Sequence, residues 1–143
     1  MFKKILVPID GSENALLAVK YARALAEKFK SKVTLLYVVQ NVAFGVPETV
    51  DLVIKDLDST GRDILSKALE IFEGFDGWVS SQLEYGNPGV KIVDLTKEDG
   101  YSLIVMGRRG LSGIMELMLG SVSNHVVHHA HCPTLIIKGN EID

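Results

Sequence analysis

The amino-acid sequence predicts an α/β fold, a parallel sheet with helices on both faces. Short runs of successive apolar residues alternate with segments whose apolar residues repeat at helical spacing. Strands that are apolar at every position must be covered on both faces, which is typical of a parallel sheet between helices. No linker, repeat or low-complexity stretch interrupts the alternation, so we expect residues 1–143 to form one domain.

Five segments are predicted to be strands. Four of them are apolar at successive positions: Ile5-Leu6-Val7 with Ile9, Val33 to Val39, Leu103 to Met106, and Leu135-Ile136-Ile137. The fifth, from Trp78 to Tyr85, alternates apolar with polar residues, with Trp78 as a packing residue at its start. An alternating pattern leaves one polar face and predicts a strand at the edge of the sheet.

Four helices are predicted between the strands. The first runs from about Ser12 to Phe29, and the second, from Val50 to Phe72, is longer and weakened by Gly61 in its middle. Pro88 suits the first position of the third helix, in which Val90, Val93 and Leu95 are expected to face inward or nearly so. The fourth runs from about Ser121 to His129, before Cys132-Pro133.

Composition and charge exclude several classes of protein. The chain is 47% hydrophobic and 23% charged, as in an ordinary globular domain, and its net charge of −3 comes without a basic tract. General binding to nucleic acid is therefore not expected. The first apolar run ends at Pro8 and Asp10, too soon for a signal peptide or a membrane span. With a single cysteine that cannot form an internal disulfide, we expect a cytoplasmic protein.

The predicted topology also indicates where a ligand would bind. Right-handed crossovers cover both faces of a sheet only if the chain reverses direction across it. At that switch point the carboxyl ends of two strands open a crevice. Residues that directly follow a strand are therefore the candidates for a binding site.

The turn Asp10-Gly11-Ser12 follows the first strand and leads into the first helix. Asp and Ser accept hydrogen bonds from the free amides of a first helical turn, and Gly permits the turn, so a structural role accounts for these residues. Alternatively, the Asp10 carboxylate lies at the mouth of the crevice and accepts hydrogen bonds from paired hydroxyls such as those of a ribose. The sequence leaves both interpretations open.

A long connection bracketed by three glycines follows the fourth strand. It opens with Gly107-Arg108-Arg109-Gly110 and ends at Gly120-Ser121-Val122-Ser123, where the last helix begins. Glycine lets the backbone approach a ligand closely, and amides at a helix N-terminus attract an anion. In the structural alternative, Gly107 and Gly110 merely turn the chain and Ser121 caps the helix.

Other phosphate-binding sequences do not fit. No Gly-x-x-x-x-Gly-Lys-Ser/Thr is present, and only one glycine follows the first strand, where the dinucleotide-binding fingerprint needs more. A phospho-acceptor receiver domain would need an acidic pair after the first strand and an Asp after the third. Neither Ile9 nor the turn Tyr85-Gly86-Asn87 supplies one.

The glycine spacing resembles the nucleotide motif of the universal stress protein family, Gly-x2-Gly-x9-Gly-Ser/Thr. Gly107, Gly110, Gly120 and Ser121 match it without gap or substitution. The resemblance covers essentially the whole chain, through Lys4-Ile5-Leu6-Val7-Pro8 with Asp10-Gly11-Ser12, Leu119-Gly120-Ser121-Val122-Ser123 and His131-Cys132-Pro133.

This resemblance implies a flavodoxin-like sheet of strand order 3-2-1-4-5, with ATP, ADP or AMP held between the ends of the first and fourth strands. Mg²⁺ or Mn²⁺ would be bound through the phosphates. Carried over by position, Asp10 would face the ribose, Pro8 and the backbone of Val38 would line the adenine pocket, and Met106 with Gly107 would lie beside the nucleotide. The residues expected around ribose and phosphates are Arg109, Gly110, Gly120, Ser121, Val122 and Ser123. For Arg108 and Arg109, a solvated cationic loop is the alternative.

A histidine cluster in the last helix offers a second candidate site. His125, His128 and His129 have the i, i+3, i+4 spacing that could bring imidazoles together for zinc. No carboxylate or thiolate within the helix completes a ligand set, and histidines near a helix C-terminus interact well with its dipole. We therefore expect no metal site, and we expect Cys132 to be a buried packing residue.

Three classes of function follow from these patterns. The leading one, which the resemblance implies, is an ATP-binding regulatory module of the stress response with at most slow hydrolysis. The second is an enzyme that hydrolyses ATP or transfers its phosphoryl or adenylyl group, for which Asp10, Glu13 and Glu116 are the candidate catalytic groups. The third is a nucleotide-free oligomeric interaction protein, in which the glycines are architectural.

The last strand predicts a partner. In the implied strand order, Thr134 to Ile137 lies at a sheet edge, yet Leu135-Ile136-Ile137 is apolar on both faces. An apolar edge strand favours pairing with another chain. We therefore expect a homodimer through this edge, as the resemblance also implies.

Overall fold

The chain forms a parallel sheet with helices on both faces. The structure is a computed structural model that describes residues 1–40, 47–108 and 119–139. Within these ranges the strands lie side by side in the order β3-β2-β1-β4-β5, all parallel, which confirms the predicted fold and strand order. The elements are β1 (Lys4–Pro8), α1 (Glu13–Phe29), β2 (Lys32–Val39), α2 (Pro47–Glu70), β3 (Val79–Tyr85), α3 (Pro88–Glu98), β4 (Leu103–Gly107), α4 (Ser121–His129) and β5 (Thr134–Ile137).

Two apolar layers cover the sheet, because successive residues of a strand point to opposite faces. Ile5 of β1 packs into the layer formed with α1 and α2, where Ala22 is fully buried. Leu6, the next residue, packs into the layer formed with α3 and α4, where Ile92 and Val126 are at most 1% exposed. The fully apolar runs of the sequence are therefore explained by burial on both sides.

Side-chain caps fix the starts of two helices. The Ser12 hydroxyl accepts a hydrogen bond from the Ala15 amide (3.1 Å), and the Asn87 side chain accepts one from the Val90 amide (3.1 Å). Each cap satisfies an amide that has no partner within its helix. The predicted start of α3 at Pro88 is correct, and α1 begins at Glu13, one residue after the predicted Ser12, which is its N-cap.

The expected inward face of α3 is wrong at one position. Val90 is 46% exposed, whereas Ile92 and Leu95 are buried against the sheet. A helix turns by about 100° per residue, so Val90 lies about 200° around the helix from Ile92 and faces away from the layer.

Gly61 allows α2 to lie close against the sheet. A Cβ atom at this position would lie 2.7 Å from Cδ1 of Tyr37 in β2 and 2.9 Å from Cδ1 of Leu83 in β3. The glycine that weakens the helix in isolation is thus required where α2 crosses these strands. Although α2 has 24 residues, neither it nor another helix in the described ranges is long and apolar enough to cross a membrane.

Arg23 of α1 holds the chain that follows α2. Its Nη1 donates to the carbonyls of Ile71 (2.6 Å) and Glu73 (2.8 Å), and its Nε pairs with Glu27 one turn further along α1 (2.8 Å). Carbonyls at a helix C-terminus have no partner within the helix, and the guanidinium satisfies them. The contact fixes the end of α2 against α1.

Two packing predictions have different outcomes. Trp78 precedes β3 and is 49% exposed, with the Lys32 ammonium 6.0 Å from its ring centre, so the prediction of a packing residue is wrong. Its position at the edge of the sheet leaves one side of the indole without a covering layer. Cys132 is partly buried against the α3 and α4 layer, and burial raises the pKa of its thiol, as expected of a packing residue rather than a reactive one.

Candidate functional site

A cavity of about 520 Å³ opens at the carboxyl ends of β1, β2 and β4. The pairing of β1 with β4 runs through Ile5↔Leu103 and Leu6↔Ile104, and the last residues of both strands lie beyond it. This is the switch point of the sheet, where ligands bind in doubly wound folds. Most predicted site residues line the cavity: Pro8, Asp10, Val38, Met106, Gly107, Gly120, Ser121, Val122 and Ser123. The predicted residues Arg109 and Gly110 lie outside the described ranges.

The Asp10 turn combines the two roles that the sequence left open. One carboxylate oxygen, Oδ1, accepts a hydrogen bond from the Ser12 amide (2.9 Å), and Ser12 in turn caps α1. Gly11 has φ +88°, a conformation that favours glycine, and a Cβ there would lie 3.0 Å from Ile64 of α2. Asp10 also lines the cavity and is only partly buried, so its carboxylate can reach a ligand.

The two ends of the long connection after β4 are tied together at its base. The Arg108 carbonyl accepts hydrogen bonds from the Gly120 amide (2.9 Å) and from the Ser123 hydroxyl (2.7 Å). The Arg108 amide donates to the Ile137 carbonyl in β5 (3.0 Å). These contacts hold the start of α4 beside the end of β4. The Ser123 hydroxyl proton is already donated to the Arg108 carbonyl and is not available to a ligand.

The N-terminus of α4 has no side-chain cap. Its N-cap residue is Gly120, and the hydrogen bond that opens the helix joins the Asn124 amide to the Gly120 carbonyl (2.9 Å). The amides of Ser121–Ser123 precede this bond and belong to residues that line the cavity. By contrast, Ser12 and Asn87 cap α1 and α3. An uncapped helix N-terminus presents amides and a partial positive charge to an anion.

Gly107 has a structural reason to be glycine in addition to its place in the cavity wall. A Cβ there would lie 3.0 Å from the backbone carbon of Asn14 and 3.1 Å from its carbonyl oxygen. Because these are backbone atoms of α1, they cannot move aside easily. Gly107 thus lets the first turn of α1 approach the end of β4, and this approach helps to shape the cavity.

Much of the remaining cavity wall is apolar. Pro8, Val38 and Met106 line it together with Leu36 and Ile92, and each of these side chains is buried. Apolar walls with a few polar groups are typical of sites for small organic ligands, including flat aromatic rings. The cavity wall therefore combines apolar side chains with the amides of an uncapped helix N-terminus and the Asp10 carboxylate.

Tyr37 is a lining residue that the sequence analysis missed. It precedes Val38 in β2, and strand alternation places it on the opposite face, where its ring packs against Gly61. The cavity wraps over the carboxyl edge of the sheet, so residues from both faces line it. Burial, and to a smaller degree the Asp10 carboxylate, raise the pKa of Tyr37 above its ordinary 10.0. Other lining residues that were not predicted are Ile9, Ala15, Leu36, Gln40, Leu57, Pro88 and Ile92.

The groups that could support catalysis or metal binding are few in the described ranges. Of the candidate catalytic carboxylates, Asp10 lines the cavity, Glu13 is exposed at the start of α1, and Glu116 lies outside these ranges. The rings of His125 and His129 lie 4.5 Å apart between centroids, yet no three His, Cys, Asp or Glu side chains group to hold a metal ion in the part described.

These features define a class: a doubly wound α/β protein with a cavity at its switch point, where ligands bind in such folds. The model of the universal stress protein family matches residues 1–138. The chain belongs to this family.

Relatives of known sequence and structure agree with that assignment. Universal stress protein MJ0531 of Methanocaldococcus jannaschii is 34% identical over 96% of this chain and 83% of its own length. Universal stress protein YxiE of Bacillus subtilis is 35% identical over 96% of this chain and all of its own. The solved structure of MJ0577, also from M. jannaschii, superposes with a TM-score of 0.88 at 28% identity, covering 99% of both chains.

Three more distant structures of the same fold are described with nucleotides. A universal stress protein in complex with cAMP is 24% identical (TM-score 0.75; 96% of this chain, 98% of that one). An Arabidopsis thaliana family member with AMP bound is 21% identical (TM-score 0.72; 96% and 92%). The Archaeoglobus fulgidus protein in complex with dAMP is 22% identical (TM-score 0.69; 96% and 100%).

Proposed function

We propose that this protein binds an adenine nucleotide, ATP, ADP or AMP, in the cavity at the carboxyl edge of its sheet. The observation that carries the proposal is the uncapped N-terminus of α4, whose first residues line the cavity. Such a terminus stabilises an anion without needing a basic side chain, so it suits a chain of net charge −3. Charge-assisted hydrogen bonds contribute about 1.5–3 kcal/mol each, so three or four would support micromolar affinity for phosphates.

The parts of the cavity correspond to the parts of a nucleotide. The apolar wall of Pro8, Val38 and Met106 would hold the base, and the Asp10 carboxylate would accept hydrogen bonds from the ribose. The backbone of Gly120 and the amides of Ser121 to Ser123 would surround the phosphates. By the family motif, Gly107, Arg109 and Gly110 would complete the phosphate side. Mg²⁺ or Mn²⁺ would be bound through the phosphates.

The family supports this assignment. The chain belongs to it over residues 1–138, and three proteins of the same fold are described with cAMP, AMP or dAMP. The fold therefore accommodates an adenine nucleotide. In this chain the nucleotide would act as a regulatory ligand in the stress response: it would stabilise the connection from 107 to 123 and thereby alter contacts with a protein partner. We place this role in the cytoplasm, in agreement with the single cysteine.

A calorimetric titration tests nucleotide binding. ATP is titrated into the native protein and into Gly120→Val, whose side chain would stand at the N-cap among the amides proposed for the phosphates. Asn124→Val is the matched control, because Asn124 is exposed on the same helix outside the cavity wall. We expect micromolar binding to the native protein and the control, and at least a tenfold loss in Gly120→Val. Equal binding by all three would contradict the proposed site, and no binding by the native protein would favour the nucleotide-free interaction protein.

The same samples separate a binding module from an enzyme. Catalysed phosphoryl transfer needs a positioned base and usually a metal near the reacting phosphate. Asp10 is the carboxylate in the described cavity wall, and one of its oxygens is held by Ser12. We therefore expect phosphate release, measured with and without Mg²⁺, to be slow. Rapid turnover that depends on Mg²⁺ would instead establish an enzyme.

We further propose that β5 forms a homodimer contact. It pairs with β4 on one side, and Leu135 on this edge strand is 38% exposed. A two-fold pairing of the same edge from two copies would cover its apolar residues and its free backbone groups. Sedimentation velocity at micromolar concentration should show a dimer that Leu135→Lys disrupts. Val90→Lys, the same kind of change at an exposed position on α3, should not disrupt it. A monomeric native protein would refute this contact.

A further inference from the structure

Tyr37 places a phenol in the cavity wall that the proposed nucleotide contacts do not use. In the described part of the chain its hydroxyl takes part in no hydrogen bond. One edge of its ring is held by α2, since Cδ1 and Cε1 occupy the space where a Gly61 side chain would begin, at 2.7 and 2.9 Å. The ring is therefore fixed by packing, and its hydroxyl remains available to a ligand.

Asp10 lies close to this phenol. The Ile9 amide donates to the Leu36 carbonyl (2.8 Å), so Asp10, which follows Ile9, leaves the sheet beside the part of β2 that contains Tyr37. Both line the same cavity, and the Asp10 carboxylate is near enough to influence the ionisation of the phenol. One carboxylate oxygen is engaged by the Ser12 amide, which leaves the other for a ligand.

The two groups have complementary hydrogen-bonding capacities. A carboxylate can only accept hydrogen bonds, whereas a phenol, which is protonated at neutral pH, can donate one. Each hydroxyl of a ribose can both donate and accept. A pair of neighbouring hydroxyls can therefore donate to Asp10 and accept from Tyr37 at the same time.

We propose that Tyr37, together with Asp10, makes the cavity selective for nucleotides whose 2′- and 3′-hydroxyls are both free. A 2′- or 3′-deoxynucleotide would leave one of these polar groups without its partner, which sites built around hydrogen bonds reject strongly. A 3′,5′-cyclic nucleotide lacks the 3′-hydroxyl proton and would bring a phosphate towards the Asp10 carboxylate. This inference rests on the proposed nucleotide function and adds a ligand preference to it.

Calorimetric titrations of the native protein and Tyr37→Phe with four nucleotides test the inference: AMP, 2′-deoxy-AMP, 3′-deoxy-AMP and 3′,5′-cyclic AMP. The variant keeps the ring that packs against Gly61, so the fold should be retained. Tyr85→Phe is the matched control, because it removes a phenol that contacts a carboxylate, that of Asp58, outside the cavity wall. We expect the native protein to prefer AMP to the other three.

Tyr37→Phe should weaken AMP binding by roughly 3- to 10-fold, the effect of one neutral hydrogen bond. It should leave unchanged the binding of the deoxynucleotide that lacks the contacted hydroxyl, and the control should match the native protein. Unchanged AMP binding in Tyr37→Phe, or an equal loss for all four nucleotides, would overturn this inference while leaving the proposed function intact. Failure of the native protein to bind any of the four would refute the proposed function, and the inference with it.

Discussion

Replacing Gly61 with alanine tests how closely α2 approaches the sheet. The new Cβ would lie 2.7 Å from Cδ1 and 2.9 Å from Cε1 of Tyr37, and 2.9 Å from Cδ1 of Leu83. These distances are well below the 3.5–4.0 Å at which carbon atoms pack best. The methyl of Leu83 can rotate away, whereas the Tyr37 ring sits on a central part of β2 and can move only if α2 or the strand shifts.

The magnitude of the effect follows from two opposing contributions. Alanine is a better helix former than glycine in a helix interior by about 0.8–1.0 kcal/mol, which would stabilise α2. Overpacking a well-filled contact costs about 1–3 kcal/mol. The close contact should therefore outweigh the helix preference, and we expect Gly61→Ala to lower the free energy of unfolding by about 1 kcal/mol.

Urea denaturation of the native protein and the variant measures this change. Ser59→Ala serves as the control, because Ser59 is exposed on the same helix and alanine there should raise stability by up to about 0.5 kcal/mol. If Gly61→Ala were more stable than the native protein by the full helix-propensity gain, the packing of α2 on Tyr37 would be wrong. In that case the Tyr37 ring would not be held in place by α2.

Three further variants test separate contacts. In urea denaturation, Arg23→Ala should lower the free energy of unfolding by about 2 kcal/mol, because two carbonyls lose a charged donor. Arg23→Lys should recover less than half of that loss. An unchanged urea midpoint in Arg23→Ala would refute the contact. Burial raises the folded-state pKa of Tyr101 above its ordinary 10.0, so the stability linked to it is complete below about pH 10 and is lost as pH rises through the folded-state pKa. As the pH rises above 10, the free energy of unfolding of Tyr101→Phe should therefore fall less than that of the native protein. An equal fall in both proteins would contradict this prediction. Ser123→Ala should cost about 1 kcal/mol without nucleotide, because Arg108 loses one of its two donors; no change would show that this hydrogen bond is weak.

Local patterns predicted the fold because they reflect local physics. Runs of buried residues on both faces identified the parallel strands, and the side-chain caps at Ser12 and Asn87 marked helix starts. Val90 was misplaced because the four apolar residues of α3, Val90, Ile92, Val93 and Leu95, allow more than one inward face. Only packing against the sheet determines which face is buried, and here it selects Ile92 and Leu95.

The candidate site was predictable where a motif carries it and hidden where tertiary packing builds it. The glycine spacing led to Gly107 and Gly120, and both line the cavity. Strand alternation gave no signal for Tyr37, which enters the wall only because the cavity wraps over the sheet edge. The contact of Gly61 with Tyr37 likewise joins residues far apart in the sequence, which no local pattern encodes.

The central claim is that adenine nucleotides bind at the uncapped N-terminus of α4. Two-dimensional ¹H–¹⁵N NMR of the labelled protein, titrated with AMP, tests it most directly because each amide reports separately. The largest shifts should occur at Gly120 to Ser123, with smaller shifts at Asp10 and none at Ser31 and Trp78 at the opposite end of the sheet. The account would be contradicted if the amide resonances of Gly120 to Ser123 did not shift at millimolar AMP, or if the largest shifts occurred elsewhere.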